Sequence, residues 1–364
     1  MPPNVSNLSD MSTGIINVKS PKPFTIKKQK RPPMIEIPNL LQPIEFKSKN
    51  IESKSDVVSS STGFGVAVCS VKGRKSFMED AHTIVSTSSE KGFFGVYDGH
   101  GGSKAADFVA KNLHSNVFEM MEKCSENTSI EEAVKAAFVK TDDEFLKQGV
   151  ESGACCVTAL IKDKELVISN LGDCRAVLSR NGKADALTKD HKASNEDERK
   201  RIEDKGGYVE LHRGTWRVHG VLAVSRSIGD AHLKDWVLGE PETKTLPLTD
   251  DVEYLVLASD GLWDEVGKQE AIDVVTRCMA SPKQNKVCQV KQLKRRVNNN
   301  WNESENDEPQ RKAKRVSFEN HTNKDHGLTP DGLVEACKEL VNLAVTRGSL
   351  DDITVMIVDL QAFR

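Results

Sequence analysis

The chain has 364 residues, and its 51 Lys and Arg against 54 Asp and Glu give a formal charge of −3. It contains no apolar run of the roughly 18 residues that a membrane-spanning helix needs, and its first residues lack an apolar segment followed by a small-residue cleavage site, so neither a membrane protein nor a secreted one is expected. Eight scattered cysteines without a Cys-x-x-Cys pair argue against a disulfide scaffold or a zinc ribbon and suit a reducing compartment. The charge is unevenly spread. Residues 1–56 carry nine basic against five acidic side chains and residues 281–326 carry eleven against six, so the remaining body holds a net −12.

Residues 1–61 are rich in Ser, Pro and Lys without periodicity and predict a disordered basic tail. Regular structure is predicted from near Gly63, with a strand to Ser70 and a second at Gly92 to Tyr97 that ends at Asp98-Gly99. Helical spacing follows from Ser103 to Met121, with Ala106, Val109, Ala110, Leu113 and Val117 on one face. A second helix at Ser129 to Leu146 opens on the Ser-x-x-Glu capping pattern of Ser129 and Glu132. Short strands are predicted at Cys156 to Lys162, Glu165 to Asn170 and Arg175 to Ser179, punctuated by Asp163 and Asn181-Gly182. Asn195 to Lys205 is a charged helix stopped by Gly206-Gly207, Tyr254 to Ala258 a buried strand, and Gln269 to Met279 a helix. Residues 281–326 carry no pattern and read as a disordered basic insertion. Asp331 to Thr346 then resumes as a helix, and Ile353 to Asp359 is a last strand. Helices interspersed with many short strands suggest an α+β fold built on antiparallel sheets.

Carboxylates gather at predicted strand ends: Asp98, Asp173, Asp260, Asp351 and Asp352, with Glu79-Asp80 beside another strand-like segment. Several such groups on one rim repel one another unless a cation intervenes, and Mg2+ or Mn2+ is the natural occupant of an all-oxygen set. An Asp-Gly pair taken singly is more often only a turn. His100 stands among glycines beside Asp98, and histidine is the side chain that gives and takes protons near neutral pH.

Seven stretches in order now match one family. They are MEDAH (Met78 to His82), VYDGHGG (Val96 to Gly102), LGDCRAVL (Leu171 to Leu178), LTKDHK (Leu187 to Lys192), GVLAVSRSIGD (Gly220 to Asp230), LASDGLWD (Leu257 to Asp264) and GSLDDITV (Gly348 to Val355). The chain resembles the metal-dependent type 2C Ser/Thr protein phosphatases, particularly plant members, over roughly residues 62–362 apart from the insertion. The resemblance implies two packed antiparallel β-sheets flanked by helices, with a metal cleft at one end. It places metal ligands at Asp98, the Gly99 carbonyl, Asp260 and Asp351, with Glu79 and Asp80 at the metals directly or through water. Asp173 and Asp264 match a weaker third position beside the two Mg2+ or Mn2+ ions. It further implies hydrolysis of phosphoserine and phosphothreonine in proteins by water activated between the metals, with His100 protonating the leaving oxygen.

Three departures bear on that reading. The arginine that grips substrate phosphate in the family is here Lys75, with Arg74 before it, so a point charge replaces a bidentate fork. The usual Asp-Asn pair of the last block is Asp351-Asp352. Members inhibited by plant hormone receptors carry a Trp in the loop before GVLA, whereas His212 holds the comparable spacing here and Trp216 is the nearest Trp, so such inhibition is not expected.

In the tail, Lys27, Lys28, Lys30 and Arg31 precede Ile35-Glu36-Ile37, a basic cluster followed by hydrophobic-x-hydrophobic. This resembles a mitogen-activated protein kinase docking motif, in which cations meet an acidic patch and the two isoleucines enter apolar pockets. The insertion's Lys294-Arg295-Arg296 and Arg311-Lys312-Ala313-Lys314-Arg315 have the spacing of a bipartite nuclear-import signal. The resulting expectation is a monomeric phosphatase of phosphoprotein substrates in the cytoplasm, the nucleus or both. It acts against mitogen-activated protein kinase signalling, without nucleic-acid or membrane partners. The alternative is a catalytically impaired scaffold that docks kinases, and only Lys75 favours it. Cysteine-nucleophile and subtilisin-like chemistries fit worse.

Overall fold

The structure, a computed structural model, describes residues 58–62, 65–88, 91–123, 128–280 and 331–364, all within the unit Lys54–Arg364. In chain order the elements are β1 (Val58–Thr62), β2 (Val66–Val71), β3 (Ala81–Ser88), β4 (Lys91–His100), α1 (Lys104–Lys123), α2 (Ile130–Leu146), β5 (Gly153–Lys162), β6 (Glu165–Leu171), β7 (Arg175–Arg180), β8 (Lys183–Ala186), α3 (Glu196–Asp204), β9 (Val209–His212), β10 (Thr215–Val218), β11 (Ile228–Gly229), β12 (Glu242–Pro247), β13 (Val252–Ala258), α4 (Asp260–Trp263), α5 (Lys268–Ala280), α6 (Asp331–Arg347) and β14 (Ile353–Asp359).

The strands form two antiparallel sheets, β1-β2-β14-β13-β7-β8 and β12-β6-β5-β4-β3, with β11 pairing β5 and β9-β10 a separate hairpin. Alternation along each strand sorts its side chains between two layers. Val66 and Val68 of β2, Leu255 and Leu257 of β13, Phe94 and Val96 of β4, and Val157 and Ile161 of β5 meet between the sheets. The opposite parity of the first sheet, such as Cys69, Val256 and Ile357, packs on Ile272 and Val275 of α5 and Leu340 of α6. Phe93, Tyr97 and Leu160 of the second sheet pack on Val109 and Leu113 of α1 and Phe138 of α2. The result is a helix–sheet–sheet–helix sandwich. Because both faces of each central strand are buried, runs such as GFFGVY and YLVLA are continuously apolar instead of alternating.

The predicted capping box is formed at α2. Ser129 Oγ accepts the Glu132 N–H, and the Glu132 carboxylate accepts the Ser129 N–H at 3.1 Å. Two boundaries differ from expectation. Ordered pairing begins at β1, upstream of Gly63. Strand β4 also does not stop at Tyr97. Asp98, Gly99 and His100 stay in the ladder opposite Cys155, Ala154 and Gly153, so Asp98-Gly99 is strand and not a turn. The docking residues Lys27, Lys28, Lys30, Arg31, Ile35 and Ile37, and the insertion at 281–326, lie outside the described residues. Among the described residues no helix is long and apolar enough to cross a membrane.

Candidate metal centre and active site

Strand parity and topology explain why the carboxylates meet. Phe94 and Val96 face the inter-sheet core, so Asp98 continues that face to where the apolar column ends. Strand β6 belongs to one sheet and β7 to the other, so the chain crosses between the sheets at Gly172-Asp173. Strand β13 runs antiparallel to β14 with Ala258 opposite Val355, which brings Asp260 and the pair Asp351-Asp352 to the same end. Asp98, Asp173 and Asp260 there offer carboxylate oxygens within 4.8 Å of one another.

That gathering is electrostatically costly. Burial first, and then the charges of Asp80 and Asp260, push Asp98 well above the usual carboxylate range. Burial and the charges of Asp173, Asp264 and Asp351 push Asp260 up to about 7, and burial pushes Asp80 up to about 7. Asp173 is raised by burial against the opposing pull of Lys192. Asp80 Oδ2 accepts the Ser259 hydroxyl at 2.8 Å, while its Oδ1 is buried without a hydrogen-bond partner. Gly99 leaves no room for a side chain, since a Cβ there would lie 2.3 Å from the Glu79 carbonyl oxygen. An orphaned carboxylate oxygen, three converging carboxylates and bare backbone at Gly99 make a donor set suited to a hard divalent cation.

Two lysines partly neutralise the cleft. Lys75 Nζ lies 3.0 Å from Glu79 and 2.7 Å from Asp351. Burial lowers its pKa, but hydrogen bonds to Asp351 and Glu79 outweigh that and hold the amine well above its ordinary value. Lys75, expected on substrate phosphate, is therefore bound to the carboxylates themselves. Arg74 is exposed, and its N–H donates to the Leu350 carbonyl. Lys192, which the sequence reading assigned no role, lies 3.6 Å from Asp173 and 3.7 Å from Asp264. Glu79 also accepts the Gly102 N–H at 2.8 Å, tying its loop to the end of β4.

Asp352 serves another purpose. Its Oδ1 accepts the Gly73 N–H and its Oδ2 the Glu79 N–H, both at 2.7 Å, so it clamps the two ends of the loop that carries Lys75. Both oxygens act as acceptors, which an Asn cannot reproduce because its amide nitrogen would face an N–H. Asp352→Asn is therefore expected to lower stability by about 1–3 kcal/mol through one unsatisfied N–H, measurable as a reduced midpoint in urea. An unchanged midpoint would contradict the clamp.

His100 Nε2 lies 2.7 Å from Asp230 Oδ2. Asp230 closes the GVLAVSRSIGD block, and its signal in the sequence is a carboxylate in a Gly-Asp turn within a family-like stretch, to which no role was assigned. A Cys-x5-Arg spacing, expected from the sequence to be absent, does occur at Cys174 and Arg180. It runs along β7, and burial pushes the Cys174 thiol well above its ordinary range, the reverse of what a thiolate nucleophile needs. Trp216 is half-buried against the small core of Ala193, Ile202 and Val218, with the Arg199 guanidinium 5.2 Å from its ring centre.

A sandwich of this topology with a carboxylate cleft at its open end defines a class, and comparison places the chain within it. Residues 64–300 match the family described as protein phosphatase 2C. Probable protein phosphatase 2C 14 of Arabidopsis thaliana is 51% identical over 334 residues, covering 83% of this chain and 74% of that protein. Probable protein phosphatase 2C 32 of Oryza sativa subsp. japonica is 45% identical over 318 residues, covering 86% and 70%. The solved structure of serine-threonine phosphatase 2C from Toxoplasma gondii shares the fold, with a TM-score of 0.58 at 20% identity over 81% of this chain and 94% of that one. A C. elegans sex determining protein does so with a TM-score of 0.65 at 20% identity over 84% and 68%. The chain belongs to the protein phosphatase 2C family and is a metal-dependent protein serine/threonine phosphatase.

Proposed function

We propose that Asp98, the Gly99 carbonyl, Glu79, Asp80, Asp260 and Asp351 hold two Mg2+ or Mn2+ ions, with Asp173 and Asp264 offering a weaker third position. His100 is the proton donor in the hydrolysis of phosphoserine and phosphothreonine. The observation that carries this reading is the convergence of Asp98, Asp173 and Asp260 within 4.8 Å at the end of the sandwich. When bound, divalent cations supply the positive charge that lets phosphate enter an acidic cleft and lower the pKa of water. The chain's own groups supply the rest. His100 protonates the Ser or Thr oxygen as its bond to phosphorus breaks, so that a neutral alcohol departs. Lys75, now paired with Glu79 and Asp351, would meet the phosphate as a point charge where a bound cation took over those carboxylates, with Arg74 beside it. Hydrolysis of a phosphothreonine peptide by the full chain is expected to vanish on chelation and return with Mn2+ or Mg2+. Activity that survives exhaustive chelation would sink this reading, and absence of activity with either metal would favour the impaired-scaffold alternative.

The regulatory reading rests on the tail. Lys27, Lys28, Lys30 and Arg31 supply the basic half of a kinase-docking segment and Ile35 and Ile37 the apolar half, so the substrates include phosphorylated mitogen-activated protein kinases in the cytoplasm, the nucleus or both. Replacing Lys30, Arg31, Ile35 and Ile37 together by Ala is expected to weaken kinase binding by at least about tenfold, a loss of about 1.4 kcal/mol. Hydrolysis of a short phosphopeptide should be unchanged. Equal kinase affinity of the two proteins in a calorimetric titration would end the docking idea.

A further inference from the structure

We infer that Asp230 is a positioning residue for catalysis: its carboxylate holds His100 by Nε2 and thereby makes Nδ1 the nitrogen that faces the leaving oxygen. This rests on the assignment of His100 as proton donor.

The Asp230 backbone is strained. Its φ of 52° and ψ of 49° lie in the left-handed region, which a non-glycine residue keeps only where its surroundings impose it. Those surroundings are fully specified. The Gly229 N–H donates to Asp142 Oδ1 at 2.7 Å, and the Asp230 N–H donates to the Ser152 carbonyl at 3.1 Å. Lys234 Nζ donates to the Ser227 carbonyl at 3.0 Å and pairs with Asp142 at 2.9 Å, pinning the turn to α2. The Ser227 hydroxyl donates to the same Asp230 oxygen that meets His100.

Space is reserved for the pair as well. A Cβ at Gly153 would lie 2.1 Å from Asp230 Oδ2 and 2.2 Å from His100 Nε2, so only glycine permits the contact. The Asp230 side chain is 6% exposed and that of His100 27%, so the carboxylate is inside and the imidazole, two residues along β4 from Asp98, is partly open to solvent. Burial raises Asp230, but the hydrogen bond and charge of His100 and the hydroxyl of Ser227 hold it below the usual carboxylate range. An ionised carboxylate only accepts, so Nε2 carries the proton in this contact. Among the described residues His100 Nδ1 has no hydrogen-bond partner, which leaves it for the substrate. In the step, the Nδ1 proton passes to the departing Ser or Thr oxygen, the P–O bond electrons stay on that oxygen, and water supplies the new oxygen on phosphate. Imidazole is left to be reprotonated from solvent.

The test exploits the leaving group. A Ser or Thr alkoxide needs a proton to leave, whereas the nitrophenolate of p-nitrophenyl phosphate leaves without one. Asp230→Asn keeps the shape and tolerates the left-handed turn. It is expected to lower kcat on a phosphothreonine peptide on the order of 100-fold, with less than about a threefold change on p-nitrophenyl phosphate and unchanged Mn2+ affinity by calorimetry. His100→Gln should give the same selective loss, and the double variant no further loss, because the two residues act as one unit. Ser227→Ala, which leaves the carboxylate in place, should give a smaller selective loss and serves if Asp230→Asn does not fold. If His100→Gln is selective while Asp230→Asn and Ser227→Ala lower neither substrate, or both equally, the role of Asp230 is overturned and that of His100 stands. If His100→Gln lowers both substrates equally, the proton-donor assignment falls and this inference with it.

Discussion

Asp98→Asn is expected to abolish phosphopeptide hydrolysis, by on the order of 1,000-fold or more, while raising the melting temperature of the metal-free protein. The first half follows from position. Asp98 is the only member of the converging trio on the inter-sheet face of β4, and loss of cation charge stabilisation amounts to several kcal/mol, each 1.36 kcal/mol being tenfold in rate. The second half follows from repulsion. Asp98 is nearly buried and its carboxyl is pushed up by burial and by Asp80, Asp260, Asp173 and Asp351. The Asp98 and Asp260 carboxylate oxygens lie within 4.8 Å of each other, close enough for their charges to repel. An Asn amide is neutral and so removes one charge from the cluster. A gain of about 1–2 kcal/mol corresponds to about 2–8 °C for a domain of this size, the trade expected where a site keeps strained charge for function. Calorimetric scans of both proteins in chelator, repeated with Mn2+, provide the measurement. A metal-free variant that melts lower than the parent, or one that still gains stability from Mn2+ as the parent does, would contradict the argument.

The fold was legible where the pattern was strong. The GFFGVY and YLVLA runs, the face of α1 and the Ser129–Glu132 capping box all appear at or near the expected residues, because burial and local hydrogen bonding both act within a short window. Strands β3, β9 and β12 were not legible. AHTIVSTS and ETKTLP are polar or broken by Pro, and they become strands only because β3 and β12 find partners at the two ends of one sheet, a tertiary effect. The carboxylates of the cleft could be found from their places at strand ends, but their separations could not. That distance depends on β6 and β7 lying in different sheets, which no local pattern encodes. The same limit hid the contacts of Lys75 and Lys192. A lysine near an acidic motif has several available partners in sequence, and only the packed loops choose Glu79 and Asp351 for one, and Asp173 and Asp264 for the other. Asp230 lay in a quoted block, yet it is 130 residues from His100 along the chain and becomes its partner only through the pinned turn.

Metal binding should therefore change the pH dependence of stability. Asp80 and Asp260 are pushed up to about 7 and Asp98 well above its ordinary value, whereas unfolded Asp titrates near 3.9. Between those limits the folded, metal-free protein binds more protons than the unfolded chain, so its stability falls as pH rises. Buried His191 and half-buried His82 and His114 act in the opposite sense, since desolvation lowers all three and favours the fold as pH rises to about 6.5. Glu198, held at about 2 despite burial by Arg226, Arg201 and Ser225, loses its contribution only in acid. Above about pH 6.5 the carboxylates of the cleft thus dominate, and Asp80 and Asp260 each contribute up to about 1.4 kcal/mol per pH unit until they lose their protons around pH 7. A bound divalent cation takes the place of those protons. The melting temperature of the metal-free protein is expected to fall across this window while that of the Mg2+-loaded protein stays nearly level, so the metal-induced increase widens with pH. Titration in two buffers of different ionisation enthalpy should show protons released on binding, more at pH 6.5 than at pH 8. Parallel melting curves with and without Mg2+, or binding heats independent of buffer, would mean that cations do not displace protons from Asp80, Asp98 and Asp260.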